Sequence, residues 1–155
     1  AAKLIPNNAA IIINAGTTTA AVARSLGHHT GLKVVTDNVN IANDLRGFGG
    51  LDVMVPGGVV RRSDGAILGE ATVDFIRQFR TDIAIIGASA IATDGSLLDY
   101  DLREASVARA IIENARHVIL ASDSTKFDRA VVAALLNLLE NHGGAQKWAH
   151  FLSAD

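Results

Sequence analysis

No cysteine occurs in these 155 residues, so the chain forms no disulfide and offers no thiolate to a metal. Aromatic residues are few. Five Phe, one Trp and one Tyr are too sparse for a surface that stacks on exposed bases. Positive charge is not in excess either: 14 Lys and Arg against 16 Asp and Glu leave a net charge of -2. That balance gives no electrostatic footprint for nucleic acid or for an anionic membrane surface. No apolar run approaches the roughly 18 residues of a membrane span. The five histidines, His28, His29, His117, His142 and His150, lack the spacing of a metal site, so neither metal nor cofactor is expected. The absence of cysteine fits a reducing cytoplasm, which is the expected location.

What is present is a hydrophobic share of 49%, rich in Ala, Val, Ile and Leu, enough for one full core in a single domain over residues 1–155. Short β-branched runs at 11–14, 33–36, 52–55, 83–86 and 118–121 read as buried strands. Helical patterns lie between them, near 18–26, 38–45, 71–79 and 102–115. This alternation predicts βαβ units in an α/β fold, a three-layer domain with a parallel sheet covered on both faces. The crossovers should be right-handed.

In such sheets ligands bind beyond the carboxyl ends of the strands. Five segments fall there: Gly16-Thr17-Thr18-Thr19, Thr36-Asp37-Asn38, Gly57-Gly58, Gly87-Ala88-Ser89 and Ser122-Asp123-Ser124-Thr125-Lys126. Each alone is ordinary turn chemistry, but together they favour a small anionic ligand. The first is the most informative. Ile11-Ile12-Ile13-Asn14-Ala15-Gly16-Thr17-Thr18-Thr19-Ala20 reads as strand, tight turn and helix start. A helix start offers unpaired N–H groups and the positive end of the dipole, where phosphates bind readily. Gly16 permits close approach, and the hydroxyls add donors. The same residues also fit a plain helix cap.

Two further residues bear on the choice. In the last helix an apolar stripe Ala108, Ile111, Ile112, Ala115 puts Glu104 on the inward face, nearest the strand ends. There its carboxylate can accept hydrogen bonds from a polyol, or it can complete a capping box with Asp101 as N-cap. Lys126 follows the last strand by five residues, within reach of a phosphate held by the threonine loop, though a solvated lysine is the ordinary alternative.

Asn14-Ala15-Gly16-Thr17-Thr18, Thr36-Asp37-Asn38, Gly57-Gly58 with Arg61, Gly69-Glu70-Ala71, Gly95-Ser96-Leu97-Leu98 and Asp123-Ser124-Thr125-Lys126-Phe127 resemble the effector-sensing domain of the DeoR family of bacterial transcriptional regulators. The likeness runs in order from Leu4 to Val132, and residues 133–155 form an atypical tail. The resemblance implies a fold like ribose-5-phosphate isomerase and the CoA-transferase-like proteins. It also implies a sugar-phosphate or phosphorylated-polyol effector, glycerol-3-phosphate first among them, and a helix-turn-helix domain N-terminal to this chain. The effector would be held by Gly16, Thr17, Thr18, Thr19, Asn38, Gly87, Glu104 and Lys126, with Asp37, Arg61 and Asp123 behind them. Asn14 and Asp37 stand where relatives usually have Asp and Asn, and Ala90 and Ala92 where they commonly have Gly and Asp.

The leading expectation is therefore a ligand-sensing module of a repressor, without catalytic residues. The chain starts without Met, so a larger N-terminal part is expected ahead of it, where the resemblance implies the DNA-binding domain, and these residues alone are expected not to bind DNA specifically. Self-association into a dimer or tetramer is expected, with the apolar segment 131–139 covering part of the contact. The rival is a sugar-phosphate isomerase or deaminase of the same fold class, with Glu104 as base and Lys126 as phosphate anchor. The Asp-Gly-x-Asp-Glu run of isomerase relatives is not seen; Thr93-Asp94-Gly95-Ser96 comes nearest and lacks the second acid.

Overall fold

In the computed structural model of the chain, the described residues are 1–92 and 94–122. After a 3-10 turn at Ala2–Leu4 the elements run β1 (Ala10–Ile13), α1 (Thr17–Arg24), β2 (Leu32–Thr36), α2 (Val39–Leu45), β3 (Leu51–Met54), α3 (Glu70–Arg77) and β4 (Thr81–Ile86). Then follow β5 (Ala90–Ile91), β6 (Leu97–Leu98), α4 (Leu102–Glu113) and β7 (Ala115–Leu120). The five main strands form one all-parallel sheet in the order β3-β2-β1-β4-β7.

Alternation along the strands builds two cores. Ile11, Ile13, Val34, Ile83 and Ile85 face α1 and α2, packing with Ala23, Leu26, Ile41 and Leu45. Ile12, Val35, Ala84 and Ile86 face the other way, onto Ile76 of α3 and Val107, Ala110 and Ile111 of α4. Each fully buried Ile or Leu contributes about 1.5–3 kcal/mol. Strands that must be apolar on both faces read as unbroken Ile and Val runs, and that made them visible in the sequence. Helices on both faces complete the three layers.

Three readings need correction. The inward stripe of α4 is Val107, Ala110, Ile111 and then Asn114; Ile112 is exposed. Asn114 is buried because its side chain donates to Ala110 O at 2.7 Å while its carbonyl accepts the Thr81 N–H at 3.0 Å. A polar residue on the inner face made the stripe look rotated. The last strand starts at Ala115, where the Thr81–Ile83 end of β4 already pairs with it. Finally, Ala90–Ile91 and Leu97–Leu98 form a small antiparallel pair that the sequence reading did not include.

No helix among the described residues is long and apolar enough to cross a membrane. The segment 131–139 and the tail 133–155 lie outside the described residues.

Candidate functional site

The strand order reverses direction at β1, whose neighbours are β2 on one side and β4 on the other. Turns after β1 and β4 therefore diverge, leaving a crevice at the carboxyl end of the sheet. A cavity of about 140 Å³ occupies it. Its floor is the loop Asn14 to Thr19, flanked by Asp37 from the end of β2 and Gly87 to Ser89 from the end of β4. Arg61 and Asp64 from the connection between β3 and α3, Asp99 from beyond β6, and Glu104 and Val107 of α4 close the sides.

The floor is rigid for reasons visible atom by atom. Asn14 is buried, and its amide bridges the two diverging turns: Nδ2 donates to Gly87 O at 3.2 Å and Oδ1 accepts the Gly87 N–H at 2.9 Å. Such a two-way pairing needs both a donor and an acceptor on one side chain, which an ionised Asp cannot supply. Ala15 N–H donates to Asp37 Oδ1 at 2.7 Å. The Thr19 hydroxyl, fully buried, lies 2.8 Å from Asn14 O and 3.0 Å from Gly16 O, to which it donates. A Cβ at Gly16 would sit 2.9 Å from that hydroxyl oxygen, so glycine at 16 and threonine at 19 go together. Gly16 is the N-cap of α1, and no side chain caps this helix; its first turn also carries no acid. The start of α1 thus presents Thr17 and Thr18 and its leading N–H groups to the cavity.

Asn38 does not line the cavity. Its Oδ1 caps α2 by accepting from Asn40 N–H at 2.9 Å and Ile41 N–H at 3.1 Å, and its Nδ2 donates to Asp64 O at 2.9 Å. With every polar atom so engaged, it stitches down the loop that carries Arg61 and Asp64, and a direct ligand role is withdrawn. Ile67 N–H to Asp37 O at 2.7 Å and Val39 N–H to Gly65 O at 2.9 Å complete that seam. Gly65 has φ +80° and approaches Asn40 so closely that a Cβ would collide with it. Thr19 and Gly87 line the site, but the Thr19 hydroxyl proton and the Gly87 N–H are already used inside the loop. Gly57 and Gly58 lie outside it, while Arg61 from the same connection reaches in. Asp123 and Lys126 lie outside the described residues.

Charge is distributed unevenly. Arg61 is the one cation among the described lining residues, against Asp37, Asp64, Asp99 and Glu104. Its guanidinium holds Asp64, with Nε to Oδ1 at 2.8 Å, pairs with Glu104, and reaches Asp101 at 3.6 Å. Hydrogen bonding to Arg61 lowers the Asp64 carboxyl below the usual range. Burial pushes Asp37 the other way, to about 7, despite the Ala15 N–H, with Glu104 and Asp64 adding to the rise. Asp99 accepts from Ser89 N–H at 3.1 Å and from the Ser89 hydroxyl at 2.9 Å. Asp101 is the N-cap of α4 and accepts from Arg103 N–H at 2.9 Å. The carboxylates do not converge on a metal: among the described residues no group of three or more could hold one.

Glu104 reaches the cavity one turn before Val107, so the expected position is met by a different stripe. Asp64 and Asp99 were absent from the predicted set, and Ser89 entered it only within the strand-end segment Gly87-Ala88-Ser89. For Asp64 a signal existed, the i, i+3 spacing from Arg61, but no sequence pattern joins Asp99 to Ser89.

A parallel sheet with its order reversed at β1, and a cavity at that point, is a doubly wound α/β fold, and ribose-5-phosphate isomerase and eIF2B structures share it. Ribose 5-phosphate isomerase A of Methanocaldococcus jannaschii matches with TM-score 0.57 and 13% identity, over 98% of this chain and 70% of that one. eIF2B delta of Chaetomium thermophilum matches with TM-score 0.60 and 18% identity, over 83% and 46%. Likeness at that identity concerns the fold alone. The family is fixed by sequence: the DeoR C terminal sensor domain matches residues 1–142, and the chain belongs to the DeoR family. The glycerol-3-phosphate regulon repressor of Haemophilus influenzae is 52% identical over 134 residues, 86% of this chain and 52% of that protein. The chain spans about half the length of the curated relatives it matches.

Proposed function

We propose that this chain is the effector-sensing domain of a bacterial repressor and that its effector is a phosphorylated polyol, with glycerol-3-phosphate first. The observation that carries this reading is the start of α1, which no side chain caps and which opens into a cavity whose other walls bear carboxylates. Phosphate oxygens accept from the N–H groups and hydroxyls of residues 16–18, and the polyol hydroxyls donate to Glu104 and its neighbours. The name of the Haemophilus influenzae relative supplies the choice of glycerol-3-phosphate. We also assign Lys126 the role of a cation for the phosphate and Asp123 a supporting role, as the sequence suggests; both lie outside the described residues.

As a repressor domain it acts by population shift: the effector binds one arrangement of the subunits more tightly and so biases DNA-binding domains outside this chain, at a typical coupling of about 1–3 kcal/mol. Isomerase chemistry is disfavoured because Glu104, the base it would need, is clasped by Arg61. The test is a melting scan of the chain with glycerol-3-phosphate and with glycerol. A true ligand at a hundredfold excess over its dissociation constant stabilises by about 2.7 kcal/mol. Equal shifts from both compounds, or none, would remove the reading.

A further inference from the structure

The effector reading puts a phosphate in front of α1, and one buried acid stands at that end of the cavity. Asp37 directly follows β2, lines the cavity and is only 3% exposed. Its Oδ1 accepts the Ala15 N–H at 2.7 Å, and Ala15 directly precedes Gly16, the N-cap of α1. No ion pair among the described residues includes Asp37. The turn and helix start beside it, residues 14–19, bring no charged group. Glu104 of α4 and Asp64 of the β3–α3 connection add like charge that favours its protonated form, and Asp99 lines the same cavity. Arg61 of that connection is committed to Asp64, Glu104 and Asp101.

A phosphate dianion at the N–H groups of residues 16–18 therefore meets a buried carboxyl that no cation among the described residues pairs with. As a carboxylate, Asp37 repels that phosphate; as an acid, it has a proton to donate. We propose that Asp37 binds the phosphate of the effector as a carboxylic acid, its O–H donating to a phosphate oxygen, so that effector binding takes up a proton. This inference rests on the phosphate lying at α1. The proton comes from solvent. Burial already lifts the Asp37 carboxyl to about 7 in the free chain, and the charge of the phosphate lifts it further. Above about pH 7, binding thus converts a carboxylate into an acid.

The experiment is calorimetric titration of the chain with glycerol-3-phosphate at about pH 6, 8 and 9, in buffers of different ionisation enthalpy. At the two higher values the phosphate of the ligand is already a dianion. We expect uptake of nearly one proton per effector at about pH 8, and a fall in affinity of about five- to tenfold between pH 8 and 9. Asp37→Asn keeps an oxygen for the Ala15 N–H and offers Nδ2 as a donor at every pH. Its affinity should be level from about pH 8 to 9, with no proton taken up. In the unaltered chain at about pH 8, the 13C shift of the Asp37 carboxyl should move from the ionised to the protonated value as the effector saturates. Binding without proton uptake, or uptake that persists in a folded Asp37→Asn chain, would overturn the proposal and leave the phosphate reading intact. A carboxyl that keeps its ionised shift at saturation would do the same. No binding even at about pH 6 would remove the reading and the proposal with it.

Discussion

Two helices of this domain begin in the same way and end up with different surroundings. α1 starts from Gly16 and α3 from Gly69, and neither glycine is backed by a side-chain cap. In both, a threonine three residues on is buried and turns its hydroxyl back to the carbonyl five residues earlier: Thr19 to Asn14 at 2.8 Å, Thr72 to Ile67 at 3.1 Å. The device braces the entering chain without a side-chain cap on the leading N–H groups. The difference lies in charge. α3 has Glu70 as its first residue, an acid at the positive end of its own dipole. α1 has Thr17 and Thr18 there, no acid in the first turn, and a cavity in front. One start neutralises itself; the other is left for an anion from outside.

The strongest way to break this comparison is to make α1 resemble α3. Thr17→Glu puts a carboxylate where the phosphate is proposed to sit, and it should weaken glycerol-3-phosphate at least about 100-fold, by like-charge repulsion, without lowering the melting temperature. Calorimetry and a melting curve on the same sample check both halves.

Asp37 comes next, since it accepts the Ala15 N–H just ahead of α1. Its carboxyl is raised from 3.8 to about 7 in the folded chain, so folding favours the protonated form. Its contribution to stability is therefore complete below about pH 4 and is lost as pH rises through about 7. Asp37→Asn should gain on the unaltered chain over that window, by up to about 4 kcal/mol at pH 8 and by little at pH 4. Urea unfolding across pH measures the gap; a pH-independent difference would contradict the buried-carboxyl account.

Smaller still are the paired threonine changes. Thr19→Val and Thr72→Val each remove a buried donor and should cost about 1–3 kcal/mol of stability. Only Thr19→Val should also weaken glycerol-3-phosphate, since only that loop forms the cavity floor. The least effect belongs to Glu70→Gln, which removes the dipole partner of α3 and should cost about 0.3–1 kcal/mol, less at high salt.

The five parallel strands were legible because two buried faces demand uninterrupted apolar runs, and Ile11 to Ile13 or Ile83 to Ile86 can hardly be read otherwise. The floor of the site was legible for a related reason: a glycine and hydroxyls directly after such a run mark a strand end. The two-residue strands at 90–91 and 97–98 were not, since no periodicity exists at that length. Asn38 shows the opposite failure. Its place at a strand end suggested a ligand contact, whereas capping α2 and holding Asp64 use up its side chain. Asp99 was invisible because its partner Ser89 is joined to it only by the small hairpin.

Amide chemical shifts report, residue by residue, where a phosphate sits. In a 15N-labelled sample titrated with glycerol-3-phosphate, the largest amide shifts should fall on Gly16, Thr17 and Thr18, with Glu70 and Ala71 nearly unmoved. Saturating shifts centred on the start of α3, or spread evenly over the surface with none at residues 16–18, would contradict a phosphate at the start of α1.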